Sequence, residues 1–209
     1  MTATAPVLLL HALGETGDDW ATVSAAIGPD RPVLAPDLRG HGAAPWEPPY
    51  TLDRMRDDVA ALLDERRAGP VDVIGHSMGG VVAYLLAAER PDLVRRLVLE
   101  DVGAPYARTP STPERPPGDL AFSWEMVLAV REQIDAPPPH WLDALGRITA
   151  PTLVIGGGQD SHVPQDWVRD LAERVPDATL RTLATGHLVH ATDPDGFLAL
   201  VRPFLGAGR

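Results

Sequence analysis

Short apolar runs alternate along this chain with stretches of helical period. Val7–Leu10, Val33–Ala35, Val71–Ile74, Leu97–Leu99, Leu153–Ile155 and Leu180–Leu183 are each about the length of a strand. Their mostly apolar character, recurring between segments of helical period, marks strands of a parallel sheet. Between the second and third runs, Leu52, Met55, Val59, Leu62 and Leu63 lie on one face of a helix from about Thr51 to Arg67. A second helix spans about Met78 to Glu89 and stops before Pro91, and a C-terminal one places Phe197, Val201, Phe204 and Leu205 on a single stripe. Strands separated by crossover helices form a parallel sheet. The pattern therefore predicts an α/β fold, a three-layer α/β/α sandwich around a mostly parallel sheet of about six strands. Ligands of such sheets sit beyond the carboxyl ends of the strands.

The rhythm breaks between Gly103 and about Arg147. This segment holds no good strand, eight prolines from Pro105 to Pro139, and one helix from Ser123 to Ile134. It also carries Tyr106, Phe122, Trp124 and Trp141, a large share of the few aromatics. A proline-rich insertion with aromatics reads as a short lid over a pocket, within a single domain spanning residues 1–209. The competing reading is a mobile linker whose aromatics dock on the body, and clustered Trp and Phe favour the lid. No internal repeat is visible.

Composition narrows the function classes. The chain has 209 residues, 44% hydrophobic and 22% charged, as expected of an ordinary soluble domain. A net charge of -11 argues against nucleic acid, because phosphate binding needs clustered cations. No apolar run is long enough to span a membrane, and the first residues lack a basic segment ahead of their apolar run, so a cytoplasmic protein without membrane partners is expected. There are no cysteines, which removes disulfides, thiolate nucleophiles and zinc–thiolate sites.

The chemistry concentrates at Gly75-His76-Ser77-Met78-Gly79, between a predicted strand and a predicted helix. A serine on so sharp a turn adopts a strained backbone, and the flanking positions must be small. Its hydroxyl is a weak nucleophile until an oriented base removes the proton. His187, in the loop after the last strand, is favoured over His190, three residues on. As bases, His41, His76, His140 and His162 are set aside as structural or solvent-facing. For the acid, Asp160 follows the fifth strand and lies between the serine and His187 in chain order, with Glu100 and Asp101 after the fourth strand in reserve. The backbone N–H groups of Met78 and of Leu13, in the loop His11–Gly17, are the candidate oxyanion donors.

Five segments together resemble the α/β-hydrolase superfamily, in its compact serine-hydrolase form with a Ser-Asp-His triad. They are Leu10–Gly17, Pro36–Gly42, Gly75–Gly79, Gly158–Pro164 and Gly186–Pro194. The resemblance implies catalytic Ser77, Asp160 and His187, and cleavage of an ester or similar small acyl substrate through an acyl-serine. It calls for no metal and no organic cofactor. The same fold also hosts carbon–carbon bond hydrolysis, lyase and perhydrolase chemistry, and non-catalytic ligand binding. Substrate contacts are expected from His11, His76, Phe122, Trp124 and Trp141, while Pro36–Gly42 is expected to be a structural turn. Two departures stand out. Ala12 occupies a position where the family usually has glycine, and the first two strands of the usual sheet are missing. The exposed sheet edge should therefore be short, covered, or used for pairing in a homodimer.

Overall fold

The computed structural model describes residues 5–206. Six strands form one parallel sheet: β1 (Val7–Leu10), β2 (Val33–Leu34), β3 (Val71–His76), β4 (Val94–Glu100), β5 (Thr152–Gly156) and β6 (Ala178–Thr182). Their spatial order is β2-β1-β3-β4-β5-β6. All six predicted runs are present, and the edge at β2 is short, with two residues paired to Val7 and Leu8.

Eight helices cover the sheet: α1 (Ala21–Ile27), α2 (Leu52–Arg66), α3 (Met78–Glu89), α4 (Trp124–Asp135), α5 (Pro139–Leu145), α6 (Gln165–Arg174), α7 (Val189–Thr192) and α8 (Pro194–Gly206). Local chemistry sets several ends. The Thr51 hydroxyl accepts the Arg54 N–H to start α2, and the Ser123 hydroxyl accepts the Met126 N–H to start α4. Leu97 and Leu99 of β4 point into a core shared with α2 to α6, whereas Val98 points into a second core with α1 and α8. That alternation sends Glu100, the last residue of β4, to the same side as Val98. The one buried charge inside β3, Asp72, is held by Arg31 at 2.6 Å and by Arg95.

Register aligns the functional loops. Leu10 lies beside Gly75, Gly75 beside Leu99, His76 beside Glu100, and Glu100 beside Ile155. The chain thus leaves β1, β3 and β4 at nearly one level. The segment between β4 and β5 contributes α4 and α5, joined to the body by a bridge between His41 and Phe122 and by packing of α5 on α3.

Helix α3 approaches the sheet so closely that side chains are excluded. A Cβ at Gly75 would stand 2.5 Å from the Gly79 carbonyl oxygen, and one at Gly79 2.5 Å from that of His11. Gly79→Ala should therefore lower the melting temperature by several degrees or prevent folding. Gly69→Ala, where a Cβ meets nothing but the backbone carries φ +65, should cost only about 1 kcal/mol; thermal denaturation of both variants checks this.

Candidate active site

Ser77 has φ 50 and ψ -115, a conformation that residues with a Cβ avoid. It is held there by its own backbone: its N–H donates to the Glu100 carbonyl at 3.1 Å, and its carbonyl accepts from Gly80 and Val81 at 3.0 and 3.1 Å. The hydroxyl is thereby lifted into a cavity of about 310 Å³, which Ala12, Leu13, Met78, Asp101 and His187 also line.

His187 Nδ1 donates to Asp101 Oδ2 at 2.7 Å. A carboxylate only accepts, so this contact fixes the tautomer and leaves the Nε2 lone pair free. Asp101 is itself fully buried and saturated. It accepts the Gly157 N–H at 2.8 Å, the Gln165 amide at 3.0 Å and the Ser161 hydroxyl. Burial alone would push its pKa up, but these donors and His187 outweigh that and hold it below the usual carboxylate range. No hydrogen bond joins the Ser77 hydroxyl to another described residue.

The expectation for the acid is therefore corrected. Asp160 is exposed on the turn closed by the Ser161 N–H to the Gly158 carbonyl, and it makes no hydrogen bond to His187. It lies four residues beyond the end of β5, whereas Asp101 directly follows β4, one strand from the serine and level with it. Asp101 also turns the chain there, with φ 48.

Leu13 and Met78 both line the cavity, and their N–H groups are unused by hydrogen bonds among the described residues. The loop that carries Leu13 is tightly fastened. Glu15 accepts the Ala12 N–H at 3.1 Å, His41 Nε2 accepts the Gly14 N–H at 3.1 Å, and Asp37 accepts the Gly17 N–H at 2.8 Å. Burial pushes His41 down to about 4, so it is neutral and able to accept. Asp37 and His41 thus give Pro36–Gly42 a structural part. Ala12 is not strained, because the left-handed position in this loop is Gly14, with φ 85.

Most of the expected substrate contacts fall elsewhere. His11 is fully buried, bonding the Ala12 carbonyl through Nδ1 and accepting the Leu38 N–H through Nε2. His76 is fully buried with Nε2 on the His187 carbonyl at 3.0 Å. Neither these two nor Phe122 and Trp124 line the cavity, since Phe122 packs on Gly14 and His41; of the expected contacts only Trp141 does. Unforeseen lining residues include Tyr106, Arg108, Arg131, Ile134, His162 and Trp167. His162 lies 4.1 Å from His187, ring to ring. Arg131 and Ile134 are three apart on a predicted helix, so their shared face was visible in the sequence.

Behind the cavity, on the α1 and α8 side, lies a second buried polar cluster. His190 contacts Glu100 through Nδ1 at 2.9 Å and Asp19 through Nε2 at 3.0 Å, and stacks on Trp20. Asp19, His76 and His190 are the group of metal-binding side chains that come close together among the described residues. Both nitrogens of His190 are committed to carboxylates, which leaves no lone pair for an ion. Burial pushes His190 down, but Asp19 and Glu100 outweigh it and raise the pKa to about 10. Among the described residues, no helix is long and apolar enough to cross a membrane.

Residues 7–200 match the model of the alpha/beta hydrolase family. The chain belongs to this family. Lipase LipV of Mycobacterium tuberculosis is 50% identical over 97 residues, a match covering 46% of this chain and 37% of the lipase. The sn-1-specific diacylglycerol lipase ABHD11 of Mus musculus is 27% identical, with 97% of this chain and 82% of that protein covered. In structure, an esterase from Thermogutta terrifontis superposes with a TM-score of 0.82 at 24% identity, covering 97% of this chain and 90% of the esterase. That likeness is one of fold.

The raised pKa of His190 sets a direction for stability. The folded state keeps a proton that an unfolded histidine, near 6.5, releases, so this contribution is complete below pH 6.5 and is lost as pH rises toward 10. Melting temperatures measured across that range should fall, and the slope should flatten in His190→Gln.

Proposed function

We propose that this alpha/beta hydrolase family member is a serine hydrolase that cleaves a carboxylic ester through an acyl-serine. The observation that carries this reading is the His187–Asp101 contact at 2.7 Å beside a strained serine in the same cavity.

As substrate enters, His187 Nε2 closes on the Ser77 hydroxyl, a contact that is often long in unliganded sites. His187 takes the proton while Oγ bonds to the ester carbonyl carbon, and the carbonyl electrons move onto oxygen. The Met78 and Leu13 N–H groups receive that oxyanion, aided by the positive end of α3. Collapse expels the alcohol, which takes the proton from His187 and leaves an acyl-Ser77. Water then gives a proton to His187 and its oxygen to the acyl carbon, and the second collapse releases the acid and restores the serine. Asp101 holds the imidazole orientation and stabilises its cationic form throughout.

The segment between β4 and β5 acts in this reading as the lid. It supplies Tyr106, Ile134, Pro137 and Trp141 to a cavity near the lower end of the range for small-molecule pockets, about 300–1,000 Å³. A small acyl chain fits better than a long one.

A fluorophosphonate ester should label the native protein stoichiometrically, and Ser77→Ala should abolish labelling; an unlabelled native protein overturns the reading. Asp101→Asn should lower kcat on a 4-nitrophenyl ester by about 10³–10⁴, since the wrong tautomer of His187 is then held. Asp160→Asn should change kcat less than about twofold. The reverse ranking, read from steady-state kinetics, would return the acid to Asp160.

A further inference from the structure

The cavity contains two cations that ester cleavage as such does not require. Arg108, on the extended segment after β4, and Arg131, on α4, line it together with Ser77 and His187. They share one counter-ion. Arg108 Nε donates to Asp135 Oδ1 at 2.6 Å, and Arg131 Nη2 stands 3.8 Å from the same oxygen. Asp135 also accepts the Ser111 N–H at 3.1 Å.

One carboxylate against two guanidinium groups leaves a net positive charge at the cavity wall. Their donors are also under-used. Arg131 Nε is buried with no partner, while its Nη2 bonds the Ser111 hydroxyl. The Nη nitrogens of Arg108 make no hydrogen bond to another described residue. A buried donor without an acceptor is costly unless a ligand supplies one.

The two acidic residues of the cavity are engaged with donors away from the arginine pair. Asp101 is committed to His187 and three further donors, and Glu15 to the Ala12 N–H, with His76 Nδ1 at 3.7 Å. Burial lowers the pKa of His162 and His187 lowers it further; Asp101 opposes this, and Arg108 and Arg131 add smaller lowering contributions.

We propose that the substrate is an anionic ester, a half-ester of a short dicarboxylic acid, whose free carboxylate is held by Arg108 and Arg131 while its ester carbonyl lies at Ser77. This rests on the ester-hydrolase reading and names its substrate class. A carboxylate matches one unpaired unit of charge and the planar fork of a guanidinium. At roughly 30 Å³ per water-sized group, the cavity holds about ten non-hydrogen atoms, enough for an acyl chain of about five carbons with both ends oxygenated.

The test compares monoethyl glutarate with the ethyl ester of glutaramic acid, which replaces the free carboxylate by a neutral amide of the same shape. The native protein should favour the anionic ester by about tenfold in kcat/KM. Both arginine side chains are about 30% exposed, and 0.5 M salt should therefore weaken the preference. In Arg108→Gln and Arg131→Gln the ratio should fall toward one, whereas Arg66→Gln, on the exposed side of α2, should keep it. Equal rates for the two esters in the native protein, or a preference that survives both arginine substitutions, would overturn the proposal.

Calorimetry with glutarate on the native protein reads the same site without turnover and without relying on variants that fold. Salt-sensitive binding of glutarate but not glutaramide is expected, and its absence sinks the proposal even where esters are cleaved. If neither ester is cleaved and fluorophosphonate fails to label Ser77, the ester reading falls, and glutarate binding still decides on the arginine pair.

Discussion

The site depends on one steric constraint: the first turn of α3 must touch the ends of β1 and β3. Backbone meets backbone there, with Gly79 against the carbonyls of Leu10 and His11, Gly75 against Gly79, and Gly80 against the Val102 side chain. Three glycines permit an approach that any Cβ would block. Because the approach is so close, Ser77 is forced out of the strand direction, and the free N–H groups at the start of α3 face the same space as its hydroxyl. The loop after β1 joins them, since the same contact brings the Leu10 and His11 carbonyls against the helix.

From that point the alternation of a parallel strand does the sorting. Glu100 ends β4 on the Val98 face, while Asp101 follows it on a left-handed turn with φ 48, and their side chains leave toward opposite faces. Asp101 turns to the cavity and takes His187. Glu100 turns to the α1 side and takes both the backbone N–H and the ring of His190. The segment after β6 is therefore held by these two carboxylates and by Asp19, which takes the other ring nitrogen of His190. A fourth hold comes from His76, whose Nε2 donates to the His187 carbonyl. The catalytic candidate thus hangs from a segment fastened at four points, the rigidity that a precisely oriented imidazole requires.

The fold is similar to that of proteins named as lipases, esterases and other hydrolases, and similarity of fold carries no substrate with it. The chemical character of this cavity comes from the wall supplied between β4 and β5. Trp141 closes it with the indole N–H on Asp53, Tyr106 packs on Trp167, and Arg108 and Arg131 converge on Asp135. An apolar cavity with fixed cations selects by charge as well as by size.

Much of this was legible in the chain. Strand runs, helix stripes, the serine turn, His187, and Leu13 and Met78 as cavity neighbours all follow from local pattern, because apolar period and turn sterics act over a few residues. The carboxylate that holds His187 did not follow. Asp160 and Asp101 both follow strands and both obey the chain order, so only register, which sets Asp101 level with Ser77 and leaves Asp160 exposed on its turn, separates them. Nor did the roles of His11, His76 and His190, identical in type to His187 yet buried among backbone and carboxylate partners from distant segments. Local sequence determines which groups exist and what backbone they need. Which of them meet is decided by long-range packing, because hydrogen bonds and ion pairs form only where the sheet brings remote strand ends within about 3 Å.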